Sequence, residues 1–224
     1  MELYKQFQLQ RSPIMKSLSV YEQMKRDLIN GYWRFGEKIF VNDLIERFNV
    51  SRRPVMDAMK ILESDGFIEI IPQSGCKVVD YFKKSAIDQL LLSSAMESLS
   101  AELAAEYHTS EEIEALELYQ SEFMKNPEKF NDRDYYFNYN REFHFHITSM
   151  THSSRIQKYA MQLWDLNDFY LNNLFENYSV IVFEPLDYHG KIIEAIKLRD
   201  SVRAKKMMEE HLKKYVEKLS EQLP

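Results

Sequence analysis

The first eighty residues carry three short helical patterns, separated by turn residues and followed by two β-rich segments. The first pattern begins near Ser19, which can cap a helix, and Gly31 stops it. The second pattern, VNDLIERFNV, ends at Asn49, where the chain must turn. The third begins at Ser51, which is predicted to cap it, carries an inner stripe at helical spacing and ends at Gly66. This order of elements constrains the fold more than any other feature of the chain.

The two β-rich segments, FIEII and CKVVD, are joined by a turn sequence at 72–75 and predict a hairpin. Three helices followed by a two-stranded ribbon form the outline of a winged helix-turn-helix. In that fold the third helix places its first turn in the major groove of DNA, and the hairpin tip contacts the neighbouring backbone. Ser51, Arg52 and Arg53 stand at that first turn, and arginine pairs with guanine or clamps a phosphate. A solvated basic pair on a small α/β domain is the alternative.

Charge and histidine content divide the chain near Asp80. The net charge of the whole chain is -6, but residues 1–80 hold 12 basic and 11 acidic residues, against 17 and 24 in the rest. All six histidines follow Tyr81. The bulk charge argues against a protein that coats polyanions, whereas a near-neutral first part permits DNA contact through a few placed residues. We therefore predict a DNA-binding domain at 1–80, a linker at 81–85 and a second domain at 86–224.

Composition excludes several other classes of protein. The lone Cys76 excludes internal disulfides and Cys-rich zinc modules, and it fits a reducing compartment. The sequence contains no apolar run of about 18 residues and no apolar signal core at its N-terminus. We expect a cytoplasmic protein with no membrane partner.

Beyond the linker, apolar residues recur at three- and four-residue spacing almost to the end of the chain. This pattern predicts an all-α antiparallel helical bundle, so the fold class is mostly α. The segment SVIVF at 179–183 is ambiguous, because it could form a strand or open a helix. The predicted helices cover residues 86–107, a segment that begins EEIEALELYQ, and residues 135–150, 155–175, 185–198 and 201–219.

Three histidines of this bundle are predicted to point inward. His144 lies one helical turn after Asn140, and His189 and His211 share their faces with apolar residues. Three imidazoles with an amide oxygen beside the first predict a site for a divalent metal ion, and Zn, Ni, Co or Mn suit such donors. The alternative is three separate core histidines, each satisfied by its own surroundings. We assign the others, His108, His146 and His152, to packing or helix-end roles.

Residues 19–79 resemble the DNA-binding domain of GntR-type bacterial transcription regulators. The landmarks are Gly31, Gly36-Glu37, residues 42–48, the run Val50-Ser51-Arg52-Arg53-Pro54-Val55, Leu62, Gly66 and the wing glycine Gly75. By position, the resemblance implies that Arg52 and Arg53 are the main DNA contacts, with further contacts from Ser51, Asn42, Met56, Gly75 and Lys77. The family usually carries arginine where Met56 stands and often a basic residue at Asn42, so we expect a different operator sequence.

The C-terminal part resembles the FCD ligand-binding domain of FadR-like regulators. Its landmarks are Glu97 with residues 101–105, and the stretches 140–147, 188–196 with Asp200, and 208–212. In metal-binding members, an aspartate and three histidines form a site that maps onto Asn140, His144, His189 and His211. The amide of Asn140 keeps an oxygen ligand but loses the charge. The subfamily often has an arginine for an acidic effector near Ser93, which we mark as an effector-binding position.

Together these features predict a non-enzymatic transcription regulator that is a homodimer. It would bind double-stranded DNA at a pseudopalindromic operator and act as a repressor that a small-molecule effector, an organic acid, controls from a site near a divalent metal ion. One rival is a regulator for which the metal ion itself is the signal. A metal-dependent hydrolase is the least favoured rival, because no general base stands beside the ligands.

Overall fold

The computed structural model describes residues 16–130, 132–174 and 186–222, which fall into two compact units. The winged-helix unit contains residues 16–86 and 164–174, and the helical unit contains residues 87–163 and 186–222. The predicted fold class, a winged helix-turn-helix followed by an all-helical region, is confirmed. The ambiguous segment at 179–183 lies outside the described residues.

The winged-helix unit starts with helices that follow the predicted pattern. Because α1 already begins at Lys16, Ser19 lies inside the helix and its predicted capping role is wrong. Gly31, with a φ of 71°, follows the end of α1 as predicted. The successive elements are α1 (Lys16–Ile29), β1 (Lys38–Phe40), α2 (Val41–Phe48), α3 (Arg52–Ser64), β2 (Ile68–Ile71) and β3 (Gly75–Val78).

The turn between α2 and α3 is made by a single left-handed residue. Asn49 has φ 49° and ψ 52°, and its N–H donates to the backbone oxygens of Ile45 and Glu46. Asparagine tolerates this conformation better than most side chains, so the chain can reverse here without glycine. Ser51 then occupies the N-cap position of α3 in an extended conformation, but its side chain makes no capping hydrogen bond. The predicted turn is confirmed in place, while the capping role of Ser51 is not.

The sheet has three strands in the order β1-β3-β2, and both pairs are antiparallel. We predicted only the hairpin of β2 and β3. In β1, Lys38, Ile39 and Phe40 pair with Lys77, Cys76 and Gly75 respectively. A strand of three residues is too short to show an alternating pattern.

Gly75 is required by the close approach of β1. A Cβ atom on Gly75 would lie 2.1 Å from the backbone oxygen of Ile39, which is far inside van der Waals contact. The hairpin turn before it is closed by a hydrogen bond from the N–H of Ser74 to the oxygen of Ile71, and Gln73 adopts a φ of 63° in this turn. Gly75 is therefore a packing residue of the sheet.

Residues 164–174 of a later helix, α7 (Ser154–Leu174), complete the core of the winged-helix unit. Phe169 is fully buried, and its ring centroid lies 5.4 Å from that of Phe67 and 5.1 Å from that of Phe35. The predicted end of the DNA-binding domain at residue 80 stays a prediction. The core of the winged-helix unit nevertheless includes side chains from residues 164–174.

Polar contacts hold the same segment in place. The ammonium group of Lys25 lies 3.0 Å from a carboxylate oxygen of Asp165, and both side chains are almost fully buried. The amide nitrogen of Asn173 donates to the backbone oxygen of Leu28 at 3.1 Å and thereby satisfies one carbonyl at the end of α1. Breaking a buried ion pair is costly, so this segment is an integral part of the unit.

The helical unit is built from long helices whose apolar faces form one core. At the start of α5, Thr109 and Glu112 form a capping box, which explains the predicted break in that place. α8 packs against α9, and α5 packs against α6 and α8. Besides the first part of α7, its elements are α4 (Lys83–Tyr107), α5 (Ser110–Met124), a short 3-10 helix (Pro127–Lys129), α6 (Arg133–Ser149), α8 (Leu186–Lys197) and α9 (Ser201–Gln222).

We expect Gly75→Ala to destabilise the protein, because the added methyl group can be accommodated only if β1 moves. Overpacking of this kind costs about 1–3 kcal/mol, and a urea unfolding curve followed by circular dichroism measures it. Gly190→Ala is the matched control: this residue is exposed in α8, and an added Cβ meets nothing within 4 Å. Alanine is the better helix former, so the control should gain up to about 1 kcal/mol. Equal effects from the two substitutions would contradict the close approach.

Candidate functional site

The first turn of α3 presents two exposed guanidinium groups. The side chain of Arg53 is 92% exposed, and its guanidinium group lies 3.9 Å from the carboxylate of Asp57. Arg52 and Asn42 are also exposed, and the first turn of α3 contains no acidic residue. Ser51 is exposed immediately before them. The predicted contact residues at this helix start are therefore accessible to a phosphate or a base edge.

The other predicted DNA contacts have different surroundings. Met56 is half-buried and packs against the core of the winged-helix unit. Lys77 lies 2.7 Å from Asp80 and 3.6 Å from Glu69, and its hydrogen bond to Asp80 raises the pKa of the ammonium group. Gly75 is buried between β1 and β2. In the structure, Met56 and Gly75 are packing residues and Lys77 forms ion pairs. DNA contact by these three residues stays a prediction.

The helical unit brings His144, His189 and His211 together. They project from α6, α8 and α9, and only 4%, 0% and 3% of their surfaces are exposed. One ring nitrogen of each lies within 4.8 Å of the corresponding nitrogens of the others. Donor atoms that share one metal ion at about 2 Å cannot be farther apart than about 4–4.5 Å, so this spacing suits a common ion after small adjustments.

The tautomer of His189 is determined by its neighbours. Its Nδ1 lies 2.7 Å from the hydroxyl of Tyr139, which donates its own proton to Gln120. Nδ1 is therefore the protonated nitrogen, and Nε2 carries a lone pair. Phe143 stacks on the ring with a centroid distance of 3.8 Å. His189 is thus held from one side, and its free nitrogen is presented on the other. An orienting partner holds a metal-ligating histidine in the same way.

Buried ring nitrogens of this cluster lack hydrogen-bond partners. They are Nε2 of His189, Nδ1 of His211 and Nδ1 of His144, although a carboxylate oxygen of Glu97 approaches the last of these to 2.5 Å. Buried polar atoms are nearly always paired, so three such atoms in one cluster need a physical reason. A divalent cation supplies one for Nε2 of His189 and Nδ1 of His211, because it would accept the lone pairs that the protein leaves unused there, while Nδ1 of His144 faces the carboxylate of Glu97. The residues present therefore fit a metal ion.

Burial keeps two of these rings neutral. Desolvation, followed by the nearby rings of His211 and His144, lowers the pKa of His189 well below its usual value. Desolvation and His144 lower the pKa of His211 in the same direction. Neutral imidazole is the form that binds metal ions, so both rings are ready to ligate at pH 7 without losing a proton.

Two further predicted residues lie on the helices that surround the cluster. Asn140 is on α6, one turn before His144, and it is partly exposed. Ser93 is buried on α4 and donates its hydroxyl to Glu97 at 3.0 Å. From the sequence, Glu97 is identified only as a family landmark and not as a member of this site. The pattern that could have indicated its role is its position one helical turn after Ser93, on the same helix face. The structure buries that face.

The other histidines stay outside the cluster. The ring of His146 is half-buried beside Tyr119, His108 contacts the backbone oxygen of Ala104, and His152 contacts Glu112. The predicted separation of three clustered histidines from the rest therefore agrees with the geometry, whereas ligation by Asn140 and effector binding at Ser93 stay predictions.

Exposed arginines on a winged helix-turn-helix, together with a separate helical unit, are typical of DNA-binding transcription regulators. Residues 16–78 match the family of bacterial regulatory proteins named gntR, and residues 90–214 match the FCD domain. The chain therefore belongs to the gntR family of transcription regulators and carries an FCD domain, as the resemblance predicted.

Individual relatives agree with this assignment. The chain is 26% identical over 196 residues to an uncharacterized HTH-type transcriptional regulator, YdhC of Bacillus subtilis (strain 168). This match covers 87% of the present chain and 86% of YdhC. The chain is 24% identical over 204 residues to the HTH-type transcriptional repressor GlaR of Escherichia coli (strain K12), with 88% and 92% covered. E. coli McbR/YncC shares the fold with a TM-score of 0.75 at 21% identity, over 94% of this chain and 99% of that one. Within the described ranges, no helix is both long and apolar enough to span a membrane.

We expect His189→Ala to remove bound metal from the purified protein, because the substitution deletes the donor whose tautomer is preset for ligation. Elemental analysis and the gain in melting temperature on adding Zn²⁺ or Ni²⁺ measure the loss. His146→Ala is the control, since this ring lies on the same helix as His144 but outside the cluster. Metal content that is equal in wild type and His189→Ala would show that the cluster is not a metal site.

Proposed function

We propose that this regulator is a repressor that leaves its operator when a small organic acid binds near a divalent metal ion in the helical unit. The observation that carries the proposal is the cluster of His144, His189 and His211, whose buried donors face one another. Imidazole donors suit Zn, Ni, Co or Mn. The description of GlaR as a repressor supports the direction of control. Such a regulator works in the cytoplasm, where it reaches bacterial DNA.

The operator is proposed to be a pseudopalindrome that a homodimer reads. One α3 helix contacts only one half-site, so a second copy of the chain is needed for a site of two half-sites. Arg52 and Arg53 are the proposed specificity contacts, because each exposed guanidinium can form two parallel hydrogen bonds with guanine. A dimer with two-fold symmetry then imposes the same symmetry on the operator.

The metal ion would be held by His144, His189 and His211, with Asn140 as the proposed oxygen donor. An ion in this place supplies a Lewis-acid centre that an acidic effector can ligate through a carboxylate oxygen. Control follows from linkage: an effector that binds one arrangement of the helices more tightly shifts the protein toward it. A coupling free energy of about 1–3 kcal/mol changes operator affinity by about 5- to 150-fold.

A regulator with the metal ion itself as signal is the second candidate. It is favoured by the surroundings of Ser93, where the family resemblance implies an arginine for an acidic effector. Ser93 is buried, and its hydroxyl donates to the carboxylate of Glu97. Serine carries no positive charge, so this position gives an acidic effector no cationic partner. Ion binding alone would then change the packing of the three helices that carry the histidines.

We expect Arg53→Ala and Arg52→Ala each to weaken specific DNA binding by about 1–3 kcal/mol, because each removes a base or phosphate contact. The measurement is fluorescence anisotropy on a duplex selected from a random library by the wild-type protein. Arg26→Ala is the control, since it removes an exposed guanidinium from α1 of the same unit. Sedimentation of the wild-type complex should show two chains per duplex. Unchanged affinity in both variants of α3, with unchanged melting, would refute its assignment as the recognition helix.

The same DNA assay separates the two candidate signals. The protein is measured after EDTA treatment, then with Zn²⁺, Ni²⁺, Co²⁺ or Mn²⁺, and finally with each metal ion plus a panel of small mono- and dicarboxylic acids. We expect an acid to lower operator affinity by about 5- to 150-fold only when metal is present. A change of this size with metal alone would identify the ion as the signal. If no condition changes the affinity, control through this cluster is wrong.

A further inference from the structure

Glu97 is a buried carboxylate in direct contact with the histidine cluster. It lies on α4, which carries none of the three histidines, and it is only 5% exposed. Its Oε2 lies 2.5 Å from Nδ1 of His144. Burying a carboxylate is costly unless charged or hydrogen-bonding groups compensate it, so its place beside an imidazole needs an explanation in terms of charge.

The other oxygen of this carboxylate is held by Ser93. The hydroxyl of Ser93 donates to Oε1 of Glu97 at 3.0 Å, and both residues lie on α4 one turn apart. This hydrogen bond limits rotation of the carboxylate and keeps Oε2 directed toward His144. A serine hydroxyl adds no charge, so it orients Glu97 without neutralising it.

The contact between Glu97 and His144 is close but is not an aligned hydrogen bond, because Nδ1 of His144 has no partner with suitable geometry. Glu97 is also outside the group of side chains whose donor atoms all lie within 4.8 Å of one another. The carboxylate therefore lies beside His144 rather than at the centre of the cluster, and this ring is the one through which it would act on an ion.

We propose that Glu97 is a positioning residue for the metal site, and that Ser93 orients it. A proton on Nδ1 of His144 would bond to Glu97, which leaves Nε2 of the same ring for the ion. Histidines that ligate metal ions commonly donate their other N–H to a carboxylate, which fixes the ring and makes it a stronger donor. Glu97 would thereby supply, through His144, negative charge that Asn140 lacks. This inference rests on the metal ion in the proposed function.

Three variants of the full chain test the proposal. Glu97→Gln keeps the shape of the side chain and removes the charge, whereas Ser93→Ala keeps the charge and removes the orienting hydroxyl. Glu102→Gln is the matched control, because Glu102 lies on the same helix but pairs with Lys205 at 2.8 Å. Dissociation constants for Zn²⁺ and Co²⁺ are measured by competition with a chromophoric chelator, and stability is measured by thermal melts in EDTA.

We expect Glu97→Gln to weaken metal binding by about 10- to 100-fold, which is the usual effect of losing such a partner. Ser93→Ala should weaken it by about 2- to 10-fold, as expected for one hydrogen bond, and Glu102→Gln should leave it unchanged. The visible absorption of the Co²⁺-loaded protein should shift in Glu97→Gln, because a weaker imidazole donor changes the ligand field. A purely structural role for Glu97 would lower the melting temperature in EDTA without shifting this spectrum.

Each outcome bears on the proposal. Wild-type affinity and spectrum in Glu97→Gln overturn it, while the metal ion in the proposed function stands. A wild-type protein that binds neither ion overturns both. If Glu97→Gln does not fold, Ser93→Ala decides: a weaker affinity supports the positioning role, and an unchanged affinity overturns it.

Discussion

The interior of the helical unit contains three buried histidine rings, and the polar nitrogens of these rings are the main constraint on its packing. A buried ring nitrogen with no partner loses its hydration and gains nothing in return, which is unfavourable in an otherwise apolar core. The unit nevertheless holds His189 firmly, with Phe143 stacked on its ring and Tyr139 bonded to Nδ1. Neighbours that fix a ring while leaving its lone pair unused preorganise a ligand set. In the proposed function, the binding of an ion would recover this cost of burial.

The winged-helix unit shows why local charge, not total charge, governs contact with DNA. Several of its acidic side chains are used inside the fold: Asp27 accepts from Arg47 at 2.7 Å, and Asp65 accepts from the hydroxyl of Tyr21 at 2.7 Å. These contacts occupy carboxylates that would otherwise oppose a phosphate. The start of α3, with Arg53 almost fully exposed, keeps its positive charge. A chain with a net charge of -6 can therefore bind a polyanion, with a strong dependence on salt.

Local patterns predicted the parts of the fold that depend on neighbours in sequence. Helical spacing identified the inner face of α3, whose residues Val55, Ala58, Met59 and Leu62 are all buried, and it separated the clustered histidines from His146. Contacts over long sequence distances could not be found in this way. The entry of Phe169 into the winged-helix core is one example, because periodicity shows that a side chain is inward but not which core receives it. Glu97 was missed for the same reason, since only folding brings α4 beside His144.

Asn140 stands where the family resemblance implies an aspartate. The missing carboxylate charge would affect both the affinity for the proposed metal ion and the kind of effector that the ion could bind. Three imidazoles and an amide bring no negative charge, so the charge of the proposed divalent ion would be uncompensated in a buried place, where electrostatic interactions are strong. The carboxylate of Glu97, which lies 2.5 Å from His144, would offset part of that charge through this ring. The remaining positive charge would favour an anionic oxygen ligand at the ion, so an organic acid would need no arginine at Ser93. If the signal is an organic acid and not the ion itself, the amide at Asn140 and the serine at Ser93 would act in the same direction, because both would shift recognition of the acid from a protein cation to the metal ion.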